Sequence, residues 1–271
     1  MKQRSLINKL VSSRWQMWLL FFLYPLLVGF FVQLIALPHL FPSLHAGEGL
    51  LKGGDWLYFH QLAKDLAERI RVEGWKAWEL RPEGQAPAEI AALMYLLFGP
   101  LPWAMLPLNA CIHACSGLVL FSIIRNFVKD ARVAFLAACP FIFFPSAMNW
   151  YAQIHKDGIF ALGGLLFLWG WSRTVKEEHA KDLLYALLGI VGGALIVFVV
   201  RPYAVEILGF LSFVLSLVLS GVFLVLKKYS QKTSWLYPLF LWLAVLGVFG
   251  VIRLEKPSLE KPSLEKPPTY P

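Results

Sequence analysis

The chain has 271 residues, with 25 Lys and Arg against 17 Asp and Glu, and so a net charge of +8. Residues of the set AVILMFWYC make up 58% of it and charged residues only 15%, whereas soluble domains average about 25% charged. These values exclude a disordered chain, a disulfide-rich secreted domain and most soluble enzymes of this length. Most of the surface must face something other than water, and the cation excess bears on membrane orientation before nucleic acid.

An apolar run of about 20 residues crosses a bilayer as a helix. The first is Trp15–Leu37, preceded by the basic segment 1–14 with Lys2, Arg4, Lys9 and Arg14. It is longer than the ~7–15-residue core of a signal peptide and ends at Pro38, so it reads as a retained anchor. An outer loop, 38–86, follows. Within it, Trp56, Phe59, Ala63, Leu66 and Ile70 recur at spacings of three and four, opposite Lys64, Asp65, Glu68, Arg69 and Arg71. That pattern predicts an amphipathic helix lying in the membrane interface.

Asp55 opens this helix after Gly53 and Gly54. An aspartate there suits an N-cap; it also suits a carboxylate held at the membrane surface to accept a proton, and the two roles are compatible. The next apolar stretch, Pro87–Gly99, has thirteen residues and reads as re-entrant or interfacial. Further runs are Leu101–Phe127, Val133–Trp150, Gly158–Trp171, Leu183–Val200, Ile207–Leu226 and Leu236–Ile252. The expected fold is therefore an all-α polytopic membrane protein with about seven spans and a membrane domain over 15–253.

Charge tests this topology. With the N-terminus cytoplasmic, the inner segments carry Arg125, Lys129 and Arg132; Arg173, Lys176 and Lys181; and Lys227, Lys228 and Lys232. The long outer loop instead balances cations and anions, so the arrangement obeys the positive-inside rule. Because orientation already accounts for the cations, nucleic acid is not an expected partner. The tail 254–271 repeats LEKPS, with a proline in each unit, and is expected to be extended and disordered. Cys111, Cys115 and Cys139 follow no zinc spacing and read as apolar thiols inside helices.

Two short outer turns add polar groups to this otherwise apolar scaffold. One runs from Asn149 through His155, Lys156 and Asp157; the other holds Arg201-Pro202-Tyr203, with Glu206 beyond. Each group has a plain structural reading: Asp157 as a helix cap, Lys156 as its ion partner, Arg201 reaching to headgroups. Ionisable groups at the edge of a span are also functional candidates, and Asp55, Lys156, Asp157 and Arg201 all fall on one membrane face in this topology. Cations at headgroup depth suit a lipid-phosphate leaving group, with arginine gripping it through paired hydrogen bonds. A carboxylate beside them suits general-base catalysis on an acceptor hydroxyl. No cofactor is called for, and His155 and Asp157 lack a third ligand at metal spacing.

The order of these motifs, Asp55 opening DWLYFHQLA, then PAEIAALMYLLFG, HKDGIFALGG and RPY, resembles the C-type integral-membrane glycosyltransferases. This GT-C fold includes the branch of bacterial aminoarabinose transferase and protein mannosyltransferase. The likeness covers roughly Trp15 to Glu206. It implies a polyprenyl-phosphate-linked sugar as donor, transfer on the outer side of a bacterial inner membrane, Asp55 as catalytic carboxylate, Lys156 and Arg201 as donor-phosphate contacts, and Tyr58 supporting the loop or sugar. Asp157 is placed with the substrate-binding groups. The chain departs from the family in having Asp55-Trp56 where many relatives carry an acidic pair, and in its shorter length. Those departures keep a second reading open, a non-catalytic membrane subunit or scaffold of a glycan assembly system with membrane-protein partners. A lipid or anion transporter is disfavoured because no two-fold internal repeat is seen.

Overall fold

A computed structural model describes residues 2–78, 85–144, 151–174, 180–225 and 237–255. The chain is helical almost throughout, and four helices are long and apolar enough to cross a membrane: Arg14–Leu40, Pro102–Phe127, Asp182–Val200 and Ala204–Val225. Their outward faces stay apolar, with Leu27 65% and Phe210 70% exposed. Apolar area on that scale is unfavourable in water and satisfied by lipid.

Helix α1 (Lys2–Ser12) leads into α2 (Arg14–Phe31). Ser13 caps α2, its hydroxyl accepting from Gln16 N at 3.4 Å. Past Phe31 the backbone widens to a π-helix over Val32–Leu40, a stretch that contains Pro38. A small antiparallel hairpin, β1 (His45–Gly47) and β2 (Leu50–Leu51), follows. Its turn places Gly47, Glu48 and Gly49 at positive φ, a conformation easy for glycine and uncommon for glutamate.

Helices α3 (Asp55–Glu73) and α4 (Ala86–Phe98) form the next layer. The predicted stripe is present: Phe59, Ala63, Leu66 and Ile70 are buried. It packs on Ala88, Ala91, Ala92 and Tyr95 of α4 within a single apolar core, so the protein itself covers the face expected to lie in the interface. Alanines at this contact let the two helices approach closely. Exposed apolar groups of α3 and α4 include Val72, Leu97 and Phe98. At thirteen residues α4 is too short to span.

The remaining described helices are α5 (Leu106–Phe127), α6 (Ala131–Phe143), α7 (Asp157–Thr174), α8 (Ala180–Val200), α9 (Ala204–Val225) and α10 (Tyr237–Glu255). Helix α6 ends at Phe143, far short of the expected span to Trp150; residues 145–150 lie outside the described set. So do Lys176, Lys227, Lys228, Lys232 and most of the LEKPS tail.

The tightest pairing joins α7 and α8. A Cβ added at Gly170 would stand 2.6 Å from Ala186 O and Ile190 N. One added at Gly193 would stand 2.5 Å from Gly163 O and Phe167 N. The backbones are in direct contact, the packing that small residues permit between membrane helices. This hairpin sets Asp157 and Arg201 together at one end, and Arg173 and Asp182 at the other.

Candidate functional site

Three separate segments meet at one end of the bundle: the start of α3, the turn before α7 and the residue after α8. They enclose a cavity of about 260 Å³ lined by Gly53, Gly54, Asp55, Trp56, Phe59, Ile154, His155, Lys156, Asp157 and Arg201. The chain thus brings Asp55, Lys156, Asp157 and Arg201 together, although up to 146 positions separate them in sequence (201 − 55).

The Gly53-Gly54 step shapes one wall. Gly53 has φ +81°, a region that suits glycine. Gly54 lies so close beneath the Trp56 indole that a Cβ there would meet it at 2.2 Å. The indole is fixed from its other side, with Nε1 donating to Leu51 O at 2.6 Å. Gly54, and not Asp55, occupies the N-cap, with no side-chain capping bond. This corrects the capping role expected for Asp55, whose exposed carboxylate stands on the first helical residue at the cavity rim.

The opposite wall carries the charge. Arg201 donates through Nη2 to Asp157 Oδ1. His155 Nε2 contacts Asp157 Oδ2 at 3.0 Å, while His155 Nδ1 accepts from the Asp157 backbone N–H at 2.7 Å. With Nδ1 accepting, the imidazole proton lies on Nε2 and points to the carboxylate. Burial holds this imidazole below the ordinary histidine range; Asp157 and Asp55 pull upward, and Arg201 and Lys156 downward.

Asp157 is thus the common partner of two groups, and the expected Lys156–Asp157 ion pair is not formed. Lys156 instead places its ammonium 5.7 Å from the centre of the Phe59 ring, and Arg201 stacks 4.7 Å over Phe160, both favourable cation–π distances. The hollow is charge-balanced, with two carboxylates, Asp55 and Asp157, against Lys156 and Arg201. Two helix N-termini, those of α3 and α7, still open onto it and favour an anion. Arg201 Nε is buried without a hydrogen-bond partner among the described residues.

Tyr58 does not line this cavity. It packs beside Phe59, ring centroids 6.1 Å apart, on the α3–α4 core. Among the described residues no three His, Cys, Asp or Glu side chains gather as a metal ion would require.

Several groups that hold the site together escape a reading by motif. Asn109 Nδ2 donates to Tyr151 O at 2.8 Å and to Gln153 O at 2.9 Å. Gln153 in turn accepts from Leu51 N at 3.2 Å, and Gln33 Nε2 donates to Ala152 O. These buried amides bind the 151–157 turn to the hairpin, to the π-helical stretch after α2 and to α5, which sets Lys156 opposite Asp55. Their one sequence signal is an amide within an apolar span.

A second chain of polar contacts ties the hairpin to α3 and α4. Lys64 Nζ donates to both Glu48 oxygens at 3.1 Å. His60 bridges Glu48, 2.6 Å from Nε2, and Tyr95 OH, 2.6 Å from Nδ1. Burial works to raise the Glu48 carboxyl, but the bonds from Lys64 and His60 outweigh it and hold it below the ordinary range. Burial also lowers His60, so the imidazole is neutral, donates to Glu48 and accepts from Tyr95.

The chain matches no protein-family model, no curated protein and no solved structure.

Proposed function

We propose that this chain is a membrane glycosyltransferase that moves a sugar from a polyprenyl-phosphate donor to an acceptor at the membrane face bearing Asp55. The observation that carries this reading is the convergence of Asp55, Lys156 and Arg201 on one cavity at the helix ends. In it, α2, α5, α7, α8, α9, α10 and the apolar run Val133–Trp150, of which α6 is the described part, are the seven spans, the N-terminus is cytoplasmic and the cavity opens on the outer side of a bacterial inner membrane. The site works without a metal.

Asp55 accepts the proton of the acceptor hydroxyl as that oxygen bonds to the sugar's anomeric carbon. The bond from that carbon to the phosphate oxygen breaks, and its electron pair leaves on the polyprenyl phosphate. Lys156, the remaining donors of Arg201 and the N-terminus of α7 stabilise the charge that develops there. Asp157 and His155 hold the Arg201 guanidinium in place. Ligand pockets usually run to about 300–1,000 Å³, so a hollow of about 260 Å³ holds a phosphate and part of a sugar while the polyprenyl chain stays in lipid.

A second reading, a non-catalytic subunit that binds lipid-linked intermediates, is favoured by the Arg201–Asp157 ion pair, which occupies part of the guanidinium. Transfer of labelled sugar from a polyprenyl-phosphate donor, measured in membranes with Asp55→Asn beside the wild type, separates the two. The transferase reading expects a loss of about 10²–10⁴-fold, the usual contribution of a general base, with insertion and yield unchanged. Donor binding without turnover in the wild type supports the subunit instead.

A further inference from the structure

At the end of the bundle opposite Asp55, the start of α2 and the ends of α5 and α7 enclose a larger cavity of about 590 Å³. Its lining includes Arg14, Arg125, Asn126, Trp169, Arg173 and Tyr185. Arg173 stands sixteen positions after Asp157 along α7, about 24 Å at 1.5 Å per residue, so the two cavities lie toward opposite faces of a membrane. An adjoining cleft of about 170 Å³ shares Arg14, Phe121 and Trp169, and continues between Leu118, Val119 and Leu166.

We infer that this composite cavity binds an anionic phospholipid, its phosphate among the three arginines and an acyl chain in the apolar cleft. Three observations carry the inference. The first is charge: the guanidiniums of Arg14, Arg125 and Arg173 line the larger cavity, and Arg173 pairs with Asp182. The second is that two of those guanidiniums, Arg173 and Arg125, are held in place. Arg173 stands 5.7 Å from both the Trp169 and Tyr185 ring centres, and Arg125 Nη1 donates to Val128 O at 2.9 Å and to Lys129 O. Arg173 Nε is buried without a hydrogen-bond partner among the described residues, which leaves a donor for an anion.

The third observation is the amphipathic shape. A free phosphate needs only the polar compartment, whereas an apolar cleft opening from it matches a headgroup with its chain. Basic pockets between membrane helices are a recognised means of holding acidic headgroups. This site does not depend on the glycosyltransferase reading, because it shares no lining residue with the Asp55 cavity.

The test reads lipid retained on the purified full chain by native mass spectrometry, after extraction from vesicles of phosphatidylcholine with or without phosphatidylglycerol. The expected result is retention of phosphatidylglycerol about ten-fold above phosphatidylcholine. Arg14→Gln, which removes a charge common to both compartments, lowers that preference about five-fold, the order expected of one basic side chain near an anionic headgroup. Leu118→Trp fills the apolar cleft and lowers retention while leaving every arginine in place, a second variant should Arg14→Gln fail to fold. Equal retention of the two lipids overturns the site. Displacement of phosphatidylglycerol by millimolar inorganic phosphate, with Leu118→Trp indifferent, overturns the lipid as occupant and assigns a free anion.

Discussion

Arg201 and Asp157 form an ion pair across the open end of the α7–α8 hairpin, and the same Asp157 carboxylate also receives His155. One charge opens α7 and the other directly follows α8, so the pair depends on the glycine contact that holds the helices together. Asp157 keeps 47% of its side-chain surface exposed and Arg201 26%. Solvent weakens a pair this open, and exposed pairs contribute roughly 1 kcal/mol or less.

Arg201→Ala is therefore expected to cost about 1 kcal/mol in stability and, on the proposed transferase function, to raise the requirement for the lipid-linked donor. A double-mutant cycle with Asp157→Asn, read by thermal unfolding in detergent, should give a coupling of about 0.5–1 kcal/mol. Donor dependence that stays at the wild-type level in Arg201→Ala would remove this residue from phosphate binding.

Gly54→Ala should damage the site without touching a charged group. Its Cβ would enter the Trp56 ring at 2.2 Å, and the indole cannot retreat without releasing its bond to Leu51 O. Overpacking of this kind costs about 1–3 kcal/mol. The expected outcome is a lower unfolding temperature and reduced transfer. Removing the ring as well, in Gly54→Ala with Trp56→Phe, should recover part of the stability; no recovery would mean the contact does not govern this wall.

Glu89, in the first turn of α4, is buried with both carboxylate oxygens unpartnered among the described residues. Burial raises its carboxyl from 4.5 to about 7. The folded protein therefore binds this proton more tightly than the unfolded chain does. The associated stability is fully present below pH 4.5 and is lost as pH rises through about 7, a difference of about 3 kcal/mol. Glu89→Gln should flatten the profile between about pH 5 and 8. An unfolding temperature in the wild type that does not fall over this range would refute the assignment.

The Glu48–His60–Tyr95 chain gives a structural prediction. Neutral His60 donates to Glu48 and accepts from Tyr95, linking the hairpin to both α3 and α4. Tyr95→Phe leaves a buried imidazole nitrogen unsatisfied, at a cost of about 1–3 kcal/mol. Limited proteolysis should then cleave the 45–51 hairpin faster than in wild type; equal rates would show that the hairpin is held by other contacts.

Much of the architecture was legible in the residues. Apolar run length marked the long helices, spacing of three and four marked the buried face of α3, and thirteen residues marked α4 as non-spanning. The sequence also placed Asp55, Lys156, Asp157 and Arg201 on one face, because charge at the ends of apolar runs has few places to go. What covers an apolar stripe was not legible: lipid and a neighbouring helix present the same hydrocarbon to α3, and the choice of α4 depends on alanines meeting across a contact.

Pairing within the site was likewise decided only by tertiary structure. Lys156 is adjacent to Asp157 in the chain, yet Asp157 pairs with Arg201, 44 residues away, because the α7–α8 hairpin returns Arg201 to that point while the turn directs Lys156 over Phe59. Hydropathy and charge order are properties of the linear polymer and fix the helices and their ends. Which ends touch is set by small-residue contacts and buried amides such as Asn109 and Gln153, whose partners are backbone groups with no signature in sequence.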